Sequence, residues 1–244
     1  AKFHRGMQSS VLQPSCHLYK HHHWGMKGIY RNSIRLRVWI GLDLALSEDN
    51  VSVNMETYEG DDIEGCELYS KTFGFIPTEK IEIKSRREDV DYRRLIKEGS
   101  CFACGDEVVS YSFIENFILS LPDKYGVEIV QLGYDRWNAV SSAQKIEKHG
   151  IECVEIKQHS SVLHSPSKLL KEKILSKKYH YEENLMLEIN FQNARCTENT
   201  NKDKYVNKKK SVGKVDQVIG NIFSTYLIEQ EILYGMSNFG AQVI

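Results

Sequence analysis

The sequence predicts an α/β fold: a mixed sheet, in which an antiparallel meander is extended by parallel strands, with helices packed on it. Three observations predict it. Residues 36–75 hold three alternating stretches joined by short turns, the pattern of an antiparallel ribbon. Residues 127–158 read strand, helix, strand, with "VEIVQLGYD" and "IECVEIKQ" flanking "NAVSSAQKIEKHG", which implies a parallel pair with a right-handed crossover. The 41% hydrophobic and 27% charged residues suit a globular chain, and no apolar run is long enough to span a membrane and no signal-peptide pattern occurs.

Taken in order, residues 1–35 mix Gly, Pro, Ser and His with single aromatics and show no sustained period. They read as a basic tail or linker remnant, and 36–244 as the folded domain. The adjacent His21, His22 and His23 lack the spacing of a built metal site. The first strand is expected at 36–46, the second at 50–60 and the third at 66–75. "REDVDYRRLIKEG" (87–99) reads as a helix ended by Gly99. A helix from Ser110 carries Ile114, Phe117, Ile118 and Leu121 on one face and is expected to close at Pro122 and Gly126. Pro166 marks the first turn of a helix over 165–177. "NLMLEIN" (184–190) fits a strand or a helix equally. The last long helix starts near Lys214, where Val215, Val218, Ile219, Ile222 and Phe223 repeat at helical spacing.

The six cysteines are scattered, which favours free thiols in a reducing compartment. "CFAC" (101–104) is a C-x-x-C with no second pair to complete a zinc site, and it does not fit the strand-to-helix junction of a redox pair. Two free thiols in a β-turn are expected. The net charge of -1 hides an asymmetry. Residues 1–42 contain no Asp or Glu, "KDKYVNKKKSVGK" (202–214) is a second basic stretch, and the middle of the chain carries most of the acids. Basic segments beside an acidic centre suit a polyanion held by its backbone near a metal site.

Asp43 raises the sharpest question. In "VWIGLDLALSEDN" it sits inside a run that reads as a buried strand, on the face shared by Trp39, Gly41 and Ala45. A buried carboxylate must be protonated, paired or bound to a cation, and the small neighbours leave room for something to dock. Asp135 closes the apolar strand of "VQLGYDRWNA", at the carboxyl end where sites of open α/β sheets form, with Gly133 two residues earlier. Asp216 lies in the first turn of the last helix, one turn before Gly220. Clustered carboxylates supply the hard oxygen ligands that Mg²⁺ or Mn²⁺ prefers, and the chemistry that uses such a set is metal-assisted phosphodiester cleavage. Trp39, Tyr134 and Trp137 stand near these acids and are expected in the core rather than stacked on bases.

"IGLDLALSEDNVSV", "GYDRWNA" and "GKVDQVIGNIFSTYLIEQE" resemble, in order and spacing, the nuclease domain of large terminase subunits of tailed phages, over about residues 37–231. "REDVDYRRLIKEG", "DEVVSYSFIENFI" and "HSPSKLLKEKILSKKYHYEENLMLEINFQNA" resemble intervening pieces of that family. The resemblance implies a ribonuclease-H-like fold. It also implies a two-metal endonuclease that cuts double-stranded DNA during genome packaging in the host cytoplasm. Asp43, Asp135 and Asp216 match the family's metal-binding, catalytic acids, with Mg²⁺ or Mn²⁺, two ions, as the implied cofactor. Ser47 and Asp49 match the loop after its first strand. Lys208, Lys209, Lys210 and Lys214 are the expected DNA contacts, and the implied partners are DNA, portal, terminase small subunit and a separate ATPase, with no membrane. There are departures. The family's "GNP" is Glu183-Asn184-Leu185 here, and Leu95 replaces a tryptophan. No G-x-x-x-x-G-K-[ST] occurs, so the expectation is a nuclease half without the ATPase domain, encoded separately or left by a prophage. Two other readings stay open: a DNA-binding or motor-docking module without activity, and a structure-selective nuclease such as a junction resolvase.

Overall fold

The computed structural model describes residues 35–45 and 50–235. Nearly all of the expected tail, with His21 to His23, lies outside the described residues, as do Ser47 and Asp49. The chain folds as β1 (Leu36–Asp43), β2 (Val51–Glu59), β3 (Glu67–Ile76), α1 (Ile81–Glu88), α2 (Tyr92–Lys97), β4 (Cys101–Ala103), α3 (Tyr111–Tyr125), β5 (Val127–Tyr134) and α4 (Arg136–Glu147). It continues through β6 (Glu152–Glu155), α5 (Ser160–Leu175), β7 (Tyr179–Tyr181), α6 (Leu185–Asn193), β8 (Cys196–Glu198), β9 (Lys204–Val206) and α7 (Asp216–Tyr234).

The expected α/β class and mixed sheet are present. The order is β4-β3-β2-β1-β5-β6, with β7 beside β3, and β8 and β9 form a separate two-stranded ribbon. β1, β2 and β3 pair antiparallel; β5 lies parallel to β1, and β6 parallel to β5. β1 is central and buried on both faces, so each alternate residue meets a different layer. Val38, Ile40, Leu42, Val53, Met55, Phe73 and Phe75 pack against Ile114, Ile118 and Leu121 of α3 and Ala139 and Ile146 of α4. Trp39 and Leu68 face the second core, filled by Val218, Ile219, Ile222, Phe223 and Leu227 of α7 together with α5 and α6.

Several elements differ from expectation for local reasons. The helix over 87–99 is two helices, because Asp89 adopts a left-handed conformation (φ 53°) that ends α1, and the Asp91 side chain then caps α2 by accepting from the Arg94 amide. α3 runs through Pro122 to Tyr125; Ser110 caps its start and left-handed Gly126 ends it. α5 begins six residues ahead of Pro166, where His159 accepts from the Ser161 amide, so the proline lies inside the helix rather than opening it. "NLMLEIN" is helical, since Asn184 accepts from the Leu187 amide as an N-cap. "CFAC" is not a turn: Cys101 to Ala103 form β4, parallel to β3. Burial pushes the Cys101 thiol up to about 12 and raises Cys104 too, which makes both poor metal or redox ligands.

Candidate metal centre

The site is built where the carboxyl end of β1 meets the start of α7. Gly41 makes that meeting possible. A Cβ at Gly41 would stand 1.9 Å from the Gly220 carbonyl oxygen and 2.8 Å from the Ser224 amide nitrogen, so α7 lies directly on the main chain of β1. The clearance beside Asp43 is thus filled by a helix backbone rather than left for a ligand. Gly133 is likewise covered, by Ile156 and Leu227. Two residues beyond Gly41 comes Asp43, and one helical turn before Gly220 comes Asp216. The close approach therefore fixes where the main chain of both acids stands. Asp43 is 4% exposed and Asp216 2%.

One cation joins them. The Lys208 ammonium donates to Asp43 Oδ2 at 2.6 Å and lies 3.4 Å from Asp216 Oδ1. It arrives from a short 3₁₀ turn, Lys208–Lys210, that follows β9 and is held by the Asn207 side chain accepting from the Lys209 and Lys210 amides. Lys209 and Lys210 are exposed, and Lys214 is half-buried. The four lysines expected on DNA therefore divide: Lys209 and Lys210 are exposed, Lys214 is partly covered, and Lys208 turns inward onto the acids. Nothing in the sequence distinguishes Lys208 from its two neighbours, so its inward turn was not legible there.

Asp135 stands at the end of β5 and heads α4. Its carboxyl pKa is raised by burial, with the amides of Trp137 and Arg136 and the charge of Lys208 acting in the opposite sense. The structure brings Asp43 and Asp216 onto one ammonium and leaves Asp135 within electrostatic reach of the same group. Among the described residues no three His, Cys, Asp or Glu side chains meet closely enough to hold a metal ion. Of the aromatics expected in the core, Trp39 is buried and Tyr134 half-buried, but Trp137 is 82% exposed beside Asp135.

A buried polar seam leads from this pair into the interior. Register places Ser52 opposite Asp43, Asn54 opposite Gly41 and Glu56 opposite Trp39 on β2. Asn54 Nδ2 donates to Ser224 Oγ at 2.7 Å, while Ser70 and Thr72 of β3 both donate to Asn54 Oδ1. Ser224 and Thr225 donate to the Glu56 carboxyl. Burial lifts the Glu56 pKa from the ordinary 4.5 to about 8, against the lowering effect of those two hydroxyls. Nearest the acids the seam is unfinished: Ser52 Oγ and both side-chain polar atoms of Gln217 are buried without hydrogen-bond partners.

These features fit a divalent cation. The donors are carboxylate oxygens, the type Mg²⁺ and Mn²⁺ prefer. A positive group already stands between two of them, and orphaned polar atoms border the pair where a hydrated ion needs partners.

The family model "Terminase large subunit, endonuclease domain" matches residues 31–229. Among solved structures, the large terminase of bacteriophage HK97 is similar at 19% identity and a TM-score of 0.69, covering 80% of this chain and 40% of that one. The chain thus spans about two-fifths of that terminase. The large terminase nuclease of thermophilic phage G20c is similar at 12% identity and a TM-score of 0.47, covering 79% of this chain and 82% of that one. The large terminase nuclease domain of bacteriophage SPP1, with bound Mn, is similar at 13% identity and a TM-score of 0.46, covering 77% and 84%. No curated protein matches the chain.

Proposed function

Because the chain belongs to the family of terminase large-subunit endonuclease domains, we propose that it is a divalent-metal-dependent endonuclease that cuts double-stranded DNA during phage genome packaging. One observation carries this reading: two buried carboxyl groups, contributed by elements far apart in sequence, converge on a single cation at the carboxyl edge of the sheet. In this proposal Asp43 and Asp216 hold the metal and Asp135 completes the set from the end of β5, with two ions, Mg²⁺ or Mn²⁺, as the cofactor. Such ions supply a water of lowered pKa and stabilise the departing oxygen.

The chain's own residues do the rest. The rigid seat of α7 on Gly41 keeps Asp43 and Asp216 at fixed separation. Lys209, Lys210 and Lys214 hold the duplex by its phosphates, so cutting shows little sequence preference and falls with salt. In this reading Trp137, exposed beside Asp135, lies against the duplex. Portal, terminase small subunit and an ATPase are the proposed partners, and the host cytoplasm the proposed compartment. Among the described residues no helix is long and apolar enough to cross a membrane.

The test is nicking of a supercoiled plasmid with Mg²⁺ or Mn²⁺. Asp43→Ala and Asp216→Ala are expected to lose at least about 100-fold in rate, and Asp135→Ala about 10-fold or more, the scale of losing a group that stabilises developing charge. Unchanged rates in all three variants overturn the reading. Lys208 seated on the acids favours a second reading, a DNA-binding or motor-docking module without activity. DNA binding that ignores EDTA, with no turnover, supports that one. Faster cutting of branched than linear duplexes marks a junction resolvase instead.

A further inference from the structure

Lys208 was expected among the DNA contacts, yet its ammonium is the group that holds Asp43 and Asp216 together. Both carboxyl groups are buried, whereas the lysine side chain is 31% exposed. The acids are fixed by β1 and α7; the cation between them sits at the end of a flexible four-carbon stem. Its turn is pinned by Asn207, so the side chain can swing while the main chain stays in place. The next two residues, Lys209 and Lys210, already face outward.

We propose that Lys208 is a resident substitute for a divalent cation, holding the Asp43–Asp216 pair together in the metal-free protein, and that metal entry transfers its ammonium to a phosphate of the bound DNA. This rests on the metal-nuclease reading above. Two carboxyl groups facing each other in a buried site repel when ionised. The ammonium relieves that repulsion, and an entering metal must displace it. Displacement costs binding free energy, so metal affinity is reduced when no DNA is present. A phosphate that accepts the released ammonium removes the cost. Metal and DNA then bind with positive coupling, and linkage requires the factor to be the same in both directions. The consequence is a centre that loads its metal best when a duplex lies across it.

The test is Mn²⁺ binding by calorimetry on the full chain, with and without a short duplex. Asp43→Asn/Asp216→Asn serves as the blank for any binding by histidines elsewhere. Without DNA, Lys208→Gln is expected to bind Mn²⁺ roughly three- to tenfold more tightly than wild type, the scale of one partly exposed ion pair. Lys208→Arg retains the charge and stays near wild type. Duplex DNA is expected to tighten Mn²⁺ binding in wild type and to have little effect in Lys208→Gln. Metal-free Lys208→Gln should melt below wild type, and Mn²⁺ should restore it, which separates a loosened centre from a misfolded chain. If Lys208→Gln binds Mn²⁺ as weakly as wild type or more weakly, or if Mn²⁺ does not restore its melting, Lys208 is no substitute cation. If wild type binds no more Mn²⁺ than the double-Asn blank, the metal-nuclease reading fails and takes this proposal with it.

Discussion

The two faces of the β1–β3 ribbon are built from the same strands and obey different rules. Toward α3 and α4 the strands present Val38, Ile40, Leu42, Val53, Met55, Phe73 and Phe75, all apolar. Toward α7 they present Gly41, Asp43, Ser52, Asn54, Glu56, Ser70, Thr72 and Gly74, a polar stretch between the site and the large apolar side chains Trp39 and Leu68 on the same face. The first face stabilises by area removed from water, and small errors of shape are absorbed by neighbouring side chains. The second stabilises only if every polar atom finds a partner, because an unmet buried group costs more than a met one contributes. The sheet therefore separates two tasks by alternation alone: one side secures the fold and the other places charged groups where water would otherwise weaken them.

The comparison breaks first if the apolar face is not the main source of stability. Phe75 is fully buried and packs against Phe102, Phe113 and Phe117. Phe75→Ala is expected to cost about 3–5 kcal/mol in denaturant unfolding. On the other face, Asn54→Ala removes one buried hydrogen-bond partner each from Ser70, Thr72 and Ser224 and is expected to cost about 1–3 kcal/mol. Equal losses would mean the seam is as deeply committed to the fold as the core.

Glu56 sharpens the contrast through pH. Its folded pKa of about 8 lies above the ordinary 4.5, so between those values the folded chain holds a proton that the unfolded chain has released. Its destabilising effect is absent below about pH 4.5, grows as pH rises, and is complete above about pH 8. Tyr179, whose pKa is raised by burial above the ordinary 10.0, keeps its proton across this range and adds nothing to the slope. Melting of wild type from pH 5 to pH 8.5 is expected to show a decline worth up to a few kcal/mol, and Glu56→Gln to flatten it. The smallest effect on stability is expected at Trp137. Exposed as it is, Trp137→Ala should leave stability within about 0.5 kcal/mol. On the DNA-cutting reading it should weaken duplex binding by about 1 kcal/mol in a fluorescence titration.

Legibility in the sequence followed length and alternation. β1, β2 and β3 are eight to ten residues long and repeat every second residue, so their pairing could be read directly. The β5–α4–β6 unit was legible because its turn signals fall between two apolar runs. β4 and β7 have three residues each, too few to show a period, and exist because β3 offers them an edge. Pro166 misled by sitting where a helix often begins, while the true start depends on a histidine cap. At the site, the sequence pointed to Asp43 and Asp216 through their company of small residues. It could not show that Gly41 admits a helix backbone instead of a ligand, since both need the same missing Cβ. Lys208 was hidden among like neighbours, because which of three successive lysines turns inward is decided by a turn geometry set by Asn207.

The seating of Gly220 on Gly41 has a mechanical consequence. Main chain rests on main chain there, so no rotamer change can alter the distance between the strand end and the helix start. The main chain of the two residues separates only when the strand and the helix part company, so on the DNA-cutting reading activity should vanish at the same temperature as the cooperative loss of structure, and not ahead of it.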